Sequence, residues 1–81
     1  MKVPIQITIS LKEGILDPEA RAIQHALTDL GFPTEKLSNA RLFFITVEAP
    51  TEEAALSQAR QMCERLLANP VIHRYAAEVA R

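Results

Sequence analysis

Residues 2–20 read KVPIQITISLKEGILDPEA, and the way this stretch divides sets the fold class. In its first half Val3, Ile5, Ile7, Ile9 and Leu11 alternate with Lys2, Pro4, Gln6, Thr8 and Ser10. A period of two with β-branched residues on one side marks a half-buried strand. Pro4 has no N–H to give to a ladder, which places the start of this strand at an edge or outside regular pairing. In the second half Asp17 stands where an N-cap accepts from free helix N–H groups, and Pro18 suits the first helical position. Glu19 then meets the positive end of the helix dipole. Beyond it Ala20, Ile23, Leu27 and Leu30 recur at three- and four-residue spacing, one face of a helix. Gly31 is a C′ residue free to take positive φ, Phe32 is positioned to fold back on Leu27, and Pro33 prevents the helix from resuming.

The same grammar repeats downstream. Phe43, Ile45 and Val47 alternate with Leu42, Phe44, Thr46 and Glu48, a second strand with apolar residues on both sides near its start. Such a strand is covered on both sides. Thr51 caps a second helix whose first turn carries Glu52 and Glu53, with Leu56, Ala59, Cys63 and Leu66 on one stripe supported by Ala55, Met62 and Leu67. Asn69-Pro70 ends it, because proline pushes the residue before it out of the helical region. In the tail Tyr75, Ala77 and Val79 alternate against Arg74, Ala76 and Glu78 as a last strand. The order is β-α-β-α-β, extended to β-α-β-β-α-β if Lys36–Ala40 pairs as a short strand through a tight turn at Asn39-Ala40. Either order predicts an α+β two-layer sandwich of ferredoxin-like type, with an antiparallel sheet and both helices on one face.

With 81 residues the chain is expected to be a single domain, residues 1–81, and a small one. A chain of this length buries only about 60–65% of its unfolded surface, so small scaffolds add disulfides, metal or self-association. One cysteine excludes an internal disulfide, and one cysteine with two scattered histidines is no metal-ligand set. Self-association is the remedy that remains. Leu42, Phe44 and Ile72, assigned to the sheet face away from the helices, are the candidate interface, with Arg41 and Lys12 beside them. Nine basic against ten acidic residues give a net charge of −1, without the basic field that nucleic acid needs. No apolar run reaches the roughly 18 residues of a membrane span, and the alternating N-terminus is unlike a signal peptide, so a cytoplasmic protein is expected.

Four candidate chemical features have plainer explanations. The Leu11–Ala20 joint carries one glycine, too few for a phosphate loop, and Asp17 and Glu19 occupy the helix end an anion would need. Cys63 falls mid-helix on the apolar stripe, whereas a reactive thiolate needs an electropositive, accessible setting. His25 and His73 lie far apart without an acidic partner and read as surface histidines. Glu13, once Asp17 and Glu19 are assigned to capping and dipole roles, stands alone as a solvated carboxylate. No catalytic, cofactor-binding or metal-ligating set emerges, and the residues describe a binding or assembly module.

Two segments carry more than composition. LKEGILDPEARAIQHALTDLGF and MCERLLANPVIHRYAAEV resemble the small subunit of phosphoribosylformylglycinamidine (FGAM) synthase, the PurS family, whose members have about this length. The joint Leu-Lys-x-Gly-(Val/Ile)-Leu-Asp-Pro is matched by Leu11, Lys12, Gly14, Ile15, Leu16, Asp17 and Pro18, and the helix end by Leu30, Gly31 and Phe32. The run Met-Cys-x-x-Leu-Leu-Ala-Asn-Pro-Val-Ile is matched by Met62, Cys63, Leu66, Leu67, Ala68, Asn69, Pro70, Val71 and Ile72. In the middle the chain departs: where the family tends to have Arg-x-Gly-Lys, it reads Ser38-Asn39-Ala40-Arg41. Alanine would be strained at a positive-φ position, so the turn here is expected to differ in shape or partner contact.

The resemblance implies a subunit of a ligase complex that is not catalytic alone. In that family it bridges a glutaminase and a large synthetase in de novo purine synthesis and assists ammonia transfer. ATP and Mg²⁺ are used by the synthetase, and no cofactor is implied on this chain. The implied partners are the chain itself, as a dimer or dimer of dimers, and those two subunits. A dimeric metabolite-sensing module of ferredoxin-like type is the alternative; it calls for a glycine-rich loop aimed at a ligand, and both glycines are accounted for by joints. A stand-alone enzyme of the same shape calls for a cluster of acids, histidines or a reactive thiol.

Overall fold

The computed structural model describes residues 1–80. A ten-residue strand β1 (Lys2–Leu11) leads to helix α1 (Pro18–Asp29), strand β2 (Ala40–Glu48), helix α2 (Glu52–Met62) and strand β3 (His73–Val79). The sheet has the order β2-β1-β3 with both pairings antiparallel. β1 is central because its inner face is the most apolar in the chain. Val3 lies across from Val47, Ile5 between Ile45 and Val79, and Ile7 between Phe43 and Ala77. Val3, Ile5, Ile7 and Ile9 are no more than 2% exposed, and each such side chain contributes about 1.5–3 kcal/mol by burial.

Pro4 therefore sits in the central strand rather than at an edge. It costs little there: its carbonyl accepts from the Ala80 N–H, and regular pairing with β3 starts only at Ile5, so the missing donor faces the end of that strand. The stretch Lys36–Ala40 is not a separate strand; residues 32–39 are irregular and β2 begins at Ala40. Its residues are almost all exposed, with Leu37 alone half-buried, so it has no alternating face to bury. Ala40 is extended, and among the described residues positive φ occurs only at Gly14 (84°) and Gly31 (95°). The departure at Ser38–Arg41 thus leaves no strained alanine.

Both helices begin as their sequences dictate. The Asp17 side chain accepts from the Ala20 N–H at 3.1 Å, and the Thr51 hydroxyl from the Ala54 N–H at 3.0 Å. At the end of α1 the Phe32 N–H donates to the Leu27 carbonyl and the Gly31 N–H to that of Thr28, the paired bonds of a Schellman motif. α2 supplies the second layer, with Ala55, Ala59 and Cys63 fully buried on β1 and β3. Its last turn, Cys63–Leu67, is a π-turn closed by the Ala68 N–H on the Cys63 carbonyl at 2.9 Å. The extra residue per turn shifts the stripe by one position. Leu67 turns in, while Leu66, expected on the buried stripe, is 83% exposed.

α1 behaves differently. Only Ala20 is buried, and Ile23, Leu30 and Phe32 are 42%, 72% and 65% exposed. The helix is anchored at its N-terminus and makes no substantial packing with the sheet. The molecule is accordingly elongated, 51 × 27 × 15 Å, with a radius of gyration of 16.0 Å against about 12 Å for a compact chain of this length.

Candidate functional site

Cys63, Tyr75 and His73, residues with intrinsic chemistry, are placed where they perform structural work. Cys63 is fully buried under the helix layer, and burial, with the charge of Glu64, raises its thiol pKa above the ordinary range. That is the opposite of a nucleophile's requirement. Tyr75 donates its hydroxyl to Glu64 Oε1 at 2.9 Å, tying β3 to the π-turn; this bond is the main cause of its raised phenol pKa. His25 lies exposed on α1. His73 is half-buried rather than a plain surface residue: its Nδ1 accepts from the Asn69 N–H at 2.9 Å, while the Asn69 carbonyl accepts from the His73 N–H at 2.7 Å. Asn69 Oδ1 accepts in turn from the Val71 N–H, so Asn69 and His73 together close the turn between α2 and β3. Sequence reading missed that role; the four-residue spacing beside Pro70 was its only sign. Among the described residues no three His, Cys, Asp or Glu side chains gather as a metal site.

What the molecule offers instead is uncovered apolar surface in three places. The outer sheet face carries Phe44 across from Gln6 and Leu42 across from Thr8, 71% and 49% exposed. These two predicted interface residues do come together. Arg41 does not join them: strand alternation sends it to the inner face, where its guanidinium lies 5.5 Å from the Phe43 ring centroid. Ile72 and Lys12 meet each other instead, beyond the end of the sheet, through the Lys12 N–H on the Ile72 carbonyl at 2.9 Å. The second patch is the unpacked stripe of α1. The third is a groove of about 460 Å³ between β2 and α2, with Ile45, Met62, Leu66 and Leu67 in its walls. It lies over the half-buried inner face of β2, against which α2 packs less closely than against β1 and β3. The apolar spacing of α1 was visible in the sequence, but not that its own chain leaves it uncovered.

The total accessible surface makes the same point. It is 6119 Å², whereas a compact monomer of 9.0 kDa exposes about 4,900 Å². The excess, about 1,200 Å², exceeds the roughly 800 Å² per partner of a standard interface.

Comparison with known proteins identifies the architecture. Residues 4–81 match the family model PurS, phosphoribosylformylglycinamidine (FGAM) synthase. The chain belongs to the PurS family. It is 46% identical over 71 residues to the FGAM synthase subunit PurS of Archaeoglobus fulgidus, covering 86% of this chain and 89% of that one. The crystal structure of Methanocaldococcus jannaschii PurS, described as a subunit of formylglycinamide ribonucleotide amidotransferase in the purine biosynthetic pathway, superposes with a TM-score of 0.86 at 38% identity, covering 100% of this chain and 98% of that one. A chain in the structure of PurLQS from Thermotoga maritima superposes with a TM-score of 0.90 at 27% identity, covering 99% of each. The likeness to these structures therefore spans nearly the whole chain.

Proposed function

We propose that this chain is the non-catalytic bridging subunit of FGAM synthase, joining the glutaminase to the large synthetase and assisting transfer of ammonia between them. The likeness to a chain of the PurLQS structure over 99% of both lengths carries this reading, because that chain was solved in a multi-subunit assembly. The exposed apolar surface supports it: a subunit whose work is assembly presents its side chains outward. On this reading ATP and Mg²⁺ belong to the synthetase. The expected outcome of reconstitution is that synthetase and glutaminase form product from glutamine only when this chain is added. Glutamine-dependent synthesis that is unchanged without it would sink the assignment.

The chain first assembles with itself, as a dimer or a dimer of dimers. The stripe Ile23, Leu30 and Phe32 of one copy and the groove at Ile45, Met62 and Leu66 of another are alike in character and both uncovered in the single chain. Sedimentation at micromolar concentration is expected to give a dimer or larger, and the double variant Ile23→Asp, Leu30→Asp to shift it towards monomer. A well-folded monomer of the unaltered chain is the contrary result.

A further inference from the structure

The Ser10–Asp17 stretch does not end in a bare joint. Four parts of the chain meet around it: the joint that follows β1, the first turn of α1, the irregular segment before β2 and the start of β3. They enclose an open recess of about 440 Å³ lined by Lys12, Arg21, Lys36 and Arg74, one cation from each part. None of the four forms an ion pair among the described residues; the ion pair present joins the N-terminus to Glu48 elsewhere. Arg74 donates from Nε to Ser10 Oγ at 3.2 Å, which fixes the base of its guanidinium and leaves the two terminal nitrogens free among the described residues.

Two carboxylates share the recess, and one is already engaged. Asp17 accepts the Ala20 N–H as helix cap, so the helix terminus itself is not the anion donor here. Against Asp17 and Glu13 the four cations leave an excess of two positive charges. A recess with excess positive charge attracts an anion, and a dianion balances that excess. A phosphate monoester carries about −1.5 to −2 at neutral pH and matches the excess. The recess is also too large for a bare ion: pockets of about 300–1,000 Å³ take small organic molecules. Ile15, Leu16 and Leu37 give it apolar wall, and Ser38 and Asn39 add neutral polar groups.

We propose that this recess binds a small phosphate monoester, with the phosphoryl group among Lys12, Arg21, Lys36 and Arg74 and the organic body towards Ile15, Leu16 and Leu37. Such binding would rest only on the charges and shape of this chain and stands apart from the subunit assignment. The test is calorimetric titration of the full chain with ribose 5-phosphate, with ribose and inorganic phosphate as controls, beside amide chemical shifts. Saturable binding of ribose 5-phosphate is expected, with no binding of ribose and at least tenfold weaker binding of inorganic phosphate. Shifts should concentrate at residues 10–17, 36–39 and 74. The double variant Arg21→Glu, Lys36→Glu should weaken binding at least tenfold, and Lys36→Gln by less. Both replaced residues are exposed, and an unchanged circular dichroism spectrum confirms the fold of each variant. Absence of saturable binding, equal affinity in the double variant, or inorganic phosphate binding as tightly as the ester would each overturn the proposal.

Discussion

The two helices of this chain start from nearly the same local chemistry and end in opposite situations. Each opens on a side-chain cap, the first turn carries Glu19 in α1 and Glu52 and Glu53 in α2, and their lengths are 12 and 11 residues. α2 and the π-turn after it set Ala55, Ala59 and Cys63 directly on the sheet, because small side chains let the helix approach β1 and β3 closely. α1 carries Ile23, Leu27 and Leu30 on its stripe and finds no seat in its own chain. The lesson is that an amphipathic pattern specifies that a face will be buried, not by which chain. α2 is stabilised by tertiary packing; α1 owes its form to its caps, its Schellman end and, on the proposed reading, a second copy.

The sharpest way to break this contrast is to place the same bulky change on each helix. Ala59→Leu should overpack the core beneath α2 and cost about 1–3 kcal/mol in urea unfolding. Ala26→Leu, at an exposed position of α1, should stay within about 0.5 kcal/mol. Equal losses would mean that α1 is packed as tightly as α2.

Removing the caps gives a smaller and differently distributed effect. Thr51→Ala should lower global stability by about 1 kcal/mol, since α2 unfolds with the core. Asp17→Ala should cost a similar amount within α1, visible as faster amide exchange over residues 20–30 with the global unfolding midpoint nearly unchanged in dilute protein. A full midpoint shift for Asp17→Ala would show that α1 and the sheet unfold as one unit.

The smallest expected effect concerns Cys63 and pH. Its thiol pKa is raised in the folded chain, so the unfolded chain loses the proton first. The protonated native thiol therefore contributes fully below the ordinary thiol pKa, about 8.5, and its contribution falls as pH rises above that value. Unfolding measured at pH 8 and pH 10 should show a steeper loss for the unaltered chain than for Cys63→Ala. Parallel slopes would place the thiol in contact with water.

Much of this was legible in residue order. The β1 alternation, both caps, the Gly31 terminus and the β3 alternation lie where periodicity and capping chemistry put them. The failures have one kind of cause. Leu66 was assigned to a buried stripe because the 3.6-residue period was continued through a π-turn that one added residue creates. Ile72 was assigned to the outer sheet face because Pro70 was read as a boundary of α2 only, when Asn69 and His73 hold a turn before β3 begins. Arg41 was grouped with Leu42 by proximity in sequence, although neighbours in a strand face opposite ways. The Leu11–Ala20 joint reads as no phosphate loop because it has one glycine and acids at the helix end; of the four cations around the recess it supplies only Lys12, and Arg21, Lys36 and Arg74 arrive from elsewhere in the chain.

Local interactions span three or four residues, and so residue order alone was enough to say where each strand and helix begins, which face is apolar and where the chain turns. Which apolar face is covered within the chain, and which charges converge, depends on contacts between residues tens of positions apart. Those belong to the packing of β1 between its neighbours and of α2 on the sheet. That packing leaves α1, the β2 groove and Phe44 outward, and brings Arg21, Lys36 and Arg74 around the Leu11–Asp17 joint that carries Lys12.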